Sequence, residues 1–153
     1  VHRAVDVEGR EKDGPLIYEN EHTLANERVV ISALAEKWGV GVVKLPRRYS
    51  VDFALLRDKK VMAWAELKSR GNPIHTYPTY QVSLHKYLNL AALCRDTSII
   101  SLLIVEWQDC VGYVNIPTPI DIVFGGTTKR GDWEDQEPMV EIPISEFKIL
   151  ARK

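Results

Sequence analysis

The sequence predicts an α/β fold, a central mixed β-sheet flanked by helices. Three observations point there. Helical periodicity appears twice, once before residue 39 and again from Thr79 to Cys94. Around these segments lie five runs rich in β-branched and aromatic residues, in the order helix, three strands, helix, two strands. The length of 153 residues, 45% of them hydrophobic, suits the core of one ordinary domain spanning 1–153 and falls short of two.

Taken in order, residues 1–19 show no sustained period and contain the turn-like Asp13-Gly14-Pro15, so an arm is expected at the start. Asn20 or Thr23 can cap the first helix, which runs to Trp38 and is stopped by Gly39. Val42 to Leu45 reads as a short strand closed by Pro46. Tyr49 to Leu56 and Val61 to Lys68 are β-rich runs separated by Arg57 to Lys60, a hairpin without the favoured Asn-Gly turn. Arg70 to Pro78 is loop-like, with Gly71, Pro73 and Pro78, and Thr79 to Cys94 returns to helical period. Ile99 to Trp107 and Val111 to Ile116 form a strand pair. Residues 117–138 mix prolines, glycines and acids and are expected to be a long surface loop. Met139 to Ile142 returns as an edge strand, and Ser145 to Leu150 as a short terminal element.

Composition excludes several classes. The longest apolar run, Ile99 to Val105, is broken by Ser101 and is too short to cross a bilayer. No amino-terminal run has the order of a secretory signal, so a cytoplasmic protein that is neither secreted nor membrane-bound is expected. Cys94 and Cys110 are too few for a disulfide framework and lack zinc-site spacing, which suits free thiols in a reducing compartment. A net charge of −1 excludes a histone-like protein but hides a bias. Lys44 to Arg95 carries +7, while the flanking segments carry −3 and −5. A polyanion-binding face needs such a bias, because Lys and Arg contacts to phosphate release condensed counterions. A plain solvated surface would look the same.

The chemistry concentrates between Asp52 and Lys68. Strand side chains alternate, so Glu66 and Lys68 share a face and Leu67 takes the other. If Asp58, Lys59 and Lys60 form a three-residue loop, Leu56 pairs with Met62, Ala54 with Trp64, and Asp52 with Glu66. A two-residue turn would send the two carboxylates to opposite faces. Opposed like charges destabilise a sheet unless something compensates, and a hard divalent cation such as Mg²⁺ or Mn²⁺ does so naturally. Lys68 would then position or deprotonate a water. A third carboxylate comes from the first helix. Leu24, Ile31, Leu34 and Trp38 form one apolar stripe, and Glu27 falls inside it, either as a direct or water-mediated ligand or as an acid at the stripe's edge that reaches solvent. Glu21, some 120° away on the same projection, is weaker.

Asp52 followed after thirteen residues by Glu66-Leu67-Lys68 resembles the signature of the PD-(D/E)XK nuclease superfamily, over roughly Asn20 to Arg95. Val51 stands where the signature has proline. The resemblance implies a restriction-endonuclease-like core and a metal held by Asp52, Glu66 and the Leu67 carbonyl, with Lys68 assisting the nucleophilic water. It places Glu27 in the superfamily's first helix and makes Gln81 and Lys86 the polar residues to test on the element after the motif. It implies a Mg²⁺- or Mn²⁺-dependent nuclease acting on DNA in a phage or bacterial setting, as a homo-oligomer and first of all a dimer. The alternative is a silent nuclease fold that binds nucleic acid or serves in assembly.

Arg47, Arg48 and Arg70 flank the proposed centre and are the preferred phosphate clamps. Tyr77, Tyr80 and Tyr87 either stack on bases or pack helix against sheet, with Tyr80 carried forward as the nucleic-acid contact. His2, His22, His75 and His85 share no metal-ligand spacing. Gly125-Gly126 lacks the spacing of a phosphate-binding loop and reads as a turn.

Overall fold

The computed structural model describes residues 21–126 and 136–153, so the expected arm at residues 1–19 lies outside the described residues. Helix α1 spans Glu21–Trp38 and ends at Gly39, whose φ of +65° favours a residue without a Cβ. Strands β1 (Gly41–Lys44), β2 (Phe53–Arg57) and β3 (Lys60–Ser69) follow. Next come β4 (Thr79–Ser83), helix α2 (Leu84–Thr97), β5 (Ile100–Glu106) and β6 (Cys110–Ile116). β7 (Asp121–Gly126), β8 (Gln136–Pro143) and β9 (Lys148–Arg152) complete the order.

Six strands form one sheet in the order β1-β2-β3-β5-β6-β9, and β4-β8-β7 form a smaller one. β3 and β5 are parallel and every other pair is antiparallel, so the large sheet is mixed, as expected. A parallel pair needs a crossover, and β4 with α2 supplies it between β3 and β5. Alternation sorts the core into two layers. On one face Phe53, Leu55, Ala63, Ala65 and Leu67 pack with Val30, Ile31 and Leu34 of α1. On the other, Leu103, Val105 and partly buried Trp64 meet Tyr87 and Leu90 of α2, and Tyr80, Val82, Val140 and Ile142 of the small sheet.

The helix expected over Thr79 to Cys94 begins later, at Leu84. Tyr80 and Val82 are buried while Gln81 is exposed, the period of two that marks a strand. Ser83 then caps α2, its hydroxyl accepting from the Lys86 N–H at 3.1 Å. The long surface loop expected over 117–138 is also corrected, because it contains β7 and the start of β8. Gly125, Gly126 and Pro138 lie where β8 has run past β4, so the residues that suggested a loop sit beyond the three-strand centre. Accordingly β8 is the middle strand of the small sheet, not an edge.

Candidate active site

The hairpin between β2 and β3 sets the register of the site. Asp58 and Lys59 have φ of 51° and 66°, and Arg57 pairs with Lys60 around them, a tight two-residue turn. The three-residue loop expected from the sequence therefore does not form. By itself that turn would separate the carboxylates onto opposite faces. A β-bulge restores parity: Leu56 pairs with Val61 but Leu55 pairs with Ala63, leaving Met62 as the extra residue. The expected pair Leu56–Met62 is lost, whereas Ala54 opposes Trp64 as expected and Phe53 opposes Ala65. One step further, Asp52 stands beside Glu66. The Leu67 N–H donates to Asp52 Oδ2 at 3.3 Å, which fixes that carboxylate against the backbone of β3.

Glu66 is only 1% exposed, and among the described residues it is the one charged side chain in the buried class. Burial, and then the charge of Asp52, push its carboxyl above the ordinary value of 4.5, while Lys86 and Lys68 pull it down. Oε1 is paired with Lys86 Nζ at 3.1 Å and Lys68 Nζ at 3.6 Å. Oε2 is buried without a hydrogen-bond partner. A carboxylate oxygen seldom stays in that state, so its chemistry calls for a further cationic or donor group.

Lys44 is the residue that the sequence did not single out. It ends β1, pairs with Phe53 and lies over that ring, 4.8 Å from its centroid. Its ammonium is 3.7 Å from Asp52 Oδ1 and 3.8 Å from Glu27 Oε2. Glu27 thus reaches Asp52 through Lys44. Among the described residues no group of three or more His, Cys, Asp or Glu side chains could hold a metal ion. The donors at hand are the carboxylates of Asp52 and Glu66 and the backbone at Leu67, oxygen ligands of the kind that Mg²⁺ supplements with water. Together with the orphaned Oε2, this set fits a hard cation.

The residues proposed for nucleic acid fall in three places. Arg47 and Arg48 lie on a 3-10 turn, Arg47–Tyr49, just before Asp52, with the Arg48 guanidinium 5.2 Å from the Tyr49 ring centroid. Arg70 and Gln81 are exposed and joined, Arg70 Nη2 donating to the Gln81 carbonyl at 3.4 Å. Lys86 is half-buried, its ammonium on Glu66 and also donating to the Ser50 carbonyl at 3.0 Å. Tyr80 is corrected. At 3% exposure its ring packs edge-on with Trp107 and Phe147, so no face is open for a base.

A family model described as "Phage putative PDDEXK endonuclease" matches residues 15–150. No curated protein matches the chain. Among solved structures, Hjc from Archaeoglobus fulgidus, a Holliday junction resolvase from an archaeal hyperthermophile, superposes with a TM-score of 0.55. That match covers 84% of this chain and 89% of the other at 12% identity, a likeness of fold.

Proposed function

The chain belongs to the phage PDDEXK endonuclease family, and from that premise we propose that it hydrolyses DNA phosphodiester bonds with Mg²⁺ or Mn²⁺ held by Asp52, Glu66 and the Leu67 carbonyl. The observation that carries the proposal is the bulge-corrected pairing of β2 with β3, which stands Asp52 beside Glu66 and puts Lys68 on the same face. When bound, the cation supplies charge stabilisation to the phosphate.

The chain's own residues do the remaining work. Lys68 extends from the pair toward solvent, and its ammonium orients the attacking water. As the water oxygen bonds to phosphorus it gives its proton to solvent, the P–O ester bond breaks, and the leaving oxygen takes a proton from solvent. Lys86 holds Glu66 in place and ties α2 to the Ser50 carbonyl, so its role is positioning. Lys44 keeps Glu27 and Asp52 at a common distance, and Glu27 acts from there through water. Arg47, Arg48 and Arg70 bind phosphates on either side, with Gln81 beside Arg70. A homodimer is the assembly that suits this reading, supported by Ile122 and Phe124, which β7 leaves 58% and 72% exposed.

The test is cleavage of labelled DNA with Mg²⁺. Lys68→Ala should lower cleavage at least 100-fold while Mn²⁺ still binds by calorimetry. Cleavage that persists in excess chelator, or that Lys68→Ala leaves untouched, would overturn the assignment.

A further inference from the structure

Next to the carboxylates lies a cleft that shares Arg70 and Gln81 with the proposed phosphate contacts but whose other lining residues the hydrolysis leaves without a role. It has a volume of about 490 Å³, within the range of small organic ligands, and Arg70, Asn72, Tyr77, Tyr80, Gln81 and Glu141 are among its lining. It adjoins the site, because Arg70 follows Lys68 by two residues and Tyr80 feels the charge of Glu66.

Its chemistry is layered. Tyr77 presents a 62% exposed ring, although aromatic residues of that size are usually covered. Deeper in, the Tyr80 hydroxyl is buried, with the Arg70 guanidinium beside it. Burial, helped by Glu66 and opposed by Arg70, pushes its pKa up to about 12, so it keeps its proton and remains a donor. Thr79 Oγ1 and Gln81 Nε2 both donate to Glu141 Oε2, at 3.2 and 3.1 Å, which leaves Glu141 Oε1 as an acceptor. The Arg70 guanidinium lies 4.7 Å from the Tyr80 ring centroid and spends two of its N–H groups on the Ser69 and Gln81 carbonyls. The others can meet an anion.

An aromatic face, a buried donor, a carboxylate acceptor and a guanidinium match the parts of one nucleotide: ring, polar edge and phosphate. A base stacked within a duplex cannot enter such a cleft, whereas one already out of the stack can do so at little cost. We infer that the cleft takes up one unpaired nucleobase of the DNA beside the cleaved phosphate, stacked on Tyr77 with its edge against Gln81 and Glu141. The inference rests on the reading of the neighbouring site as one that acts on DNA, and it makes unpaired nucleotides a feature of the preferred substrate.

Fluorescence anisotropy in Ca²⁺ tests it with two short labelled duplexes, one fully paired and one carrying a single unpaired adenine. The wild-type protein should bind the second about tenfold more tightly, a typical effect of one base–aromatic stack. Tyr77→Ala should bring the ratio close to one, and Tyr77→Trp should keep it. Equal affinity in the wild type, or a ratio that survives Tyr77→Ala, would overturn the inference. Cleavage of both duplexes in Mg²⁺ is read separately. Cleavage without a binding preference sinks the cleft alone, while a preference without cleavage supports the cleft and sinks the hydrolytic reading.

Discussion

Glu66 combines two properties that do not usually coexist, near-complete burial and a negative charge. Two ammonium groups make that tolerable, Lys86 at 3.1 Å and Lys68 at 3.6 Å. Removing Lys86 leaves a buried charge with less compensation, so Lys86→Met should cost about 3 kcal/mol by urea unfolding. Adding Glu66→Gln to that variant should recover most of the loss, and additive single effects would sink the coupling. The pH dependence has a definite sign. A carboxyl whose folded-state value is raised binds its proton more tightly when folded, so Glu66 favours the fold below 4.5 and that contribution is lost as pH climbs through the raised value. Without divalent ions, the wild type should therefore lose stability relative to Glu66→Gln as pH rises from 4.5; parallel pH–stability curves would contradict this. The placement of Glu66 and Lys68 on one face was legible from strand alternation. Lys44 was not, because nothing in Gly41-Val42-Val43-Lys44 announces that pairing with Phe53 will hold its ammonium between Glu27 and Asp52.

Among the elements, the β2–β3 hairpin decides whether there is a site. Its turn places Lys59 at φ 66°, a conformation that costs an L-residue roughly 1 kcal/mol. Lys59→Gly should raise stability by about that amount, read as a small increase in Tm, and should leave cleavage unchanged. The bulge is tested by parity. Deleting Met62 removes the extra residue and leaves Leu55 opposite Ala63 and Asp52 beside Glu66, so metal binding should survive the deletion, and its loss would mean that Met62 matters for more than register. The small sheet shows the opposite kind of miss. Tyr80 and Val82 fit a helical stripe with the residues that follow, yet pairing with Ile142 and Val140 makes them a strand, and tertiary contact overrides local preference.

For the molecule as a whole, the +7 of the middle third is carried by the elements that build the site, which is where phosphate must lie if the proposal holds. DNA affinity should fall steeply with salt, and Arg47→Ala, Arg48→Ala and Arg70→Ala should each flatten the log–log slope by about one; an unchanged slope would remove that arginine from the interface. If β7 provides the dimer surface, Phe124→Lys should shift sedimentation from dimer to monomer, and a monomeric wild type would refute the dimer. The described helices include none long and apolar enough to cross a membrane. By itself the sequence determined the first helix, the face shared by Glu66 and Lys68, and the places of β1, β2, β3, β5 and β6 along the chain, because periods of 3.6 and 2 are local properties of the backbone. Only the tertiary structure decided that a bulge at Met62 offsets the short turn, that Lys44 and Lys86 neutralise the acids, and that Tyr80 is buried while Tyr77 is open. Those outcomes depend on which distant strands meet and in what register, and no local period encodes that.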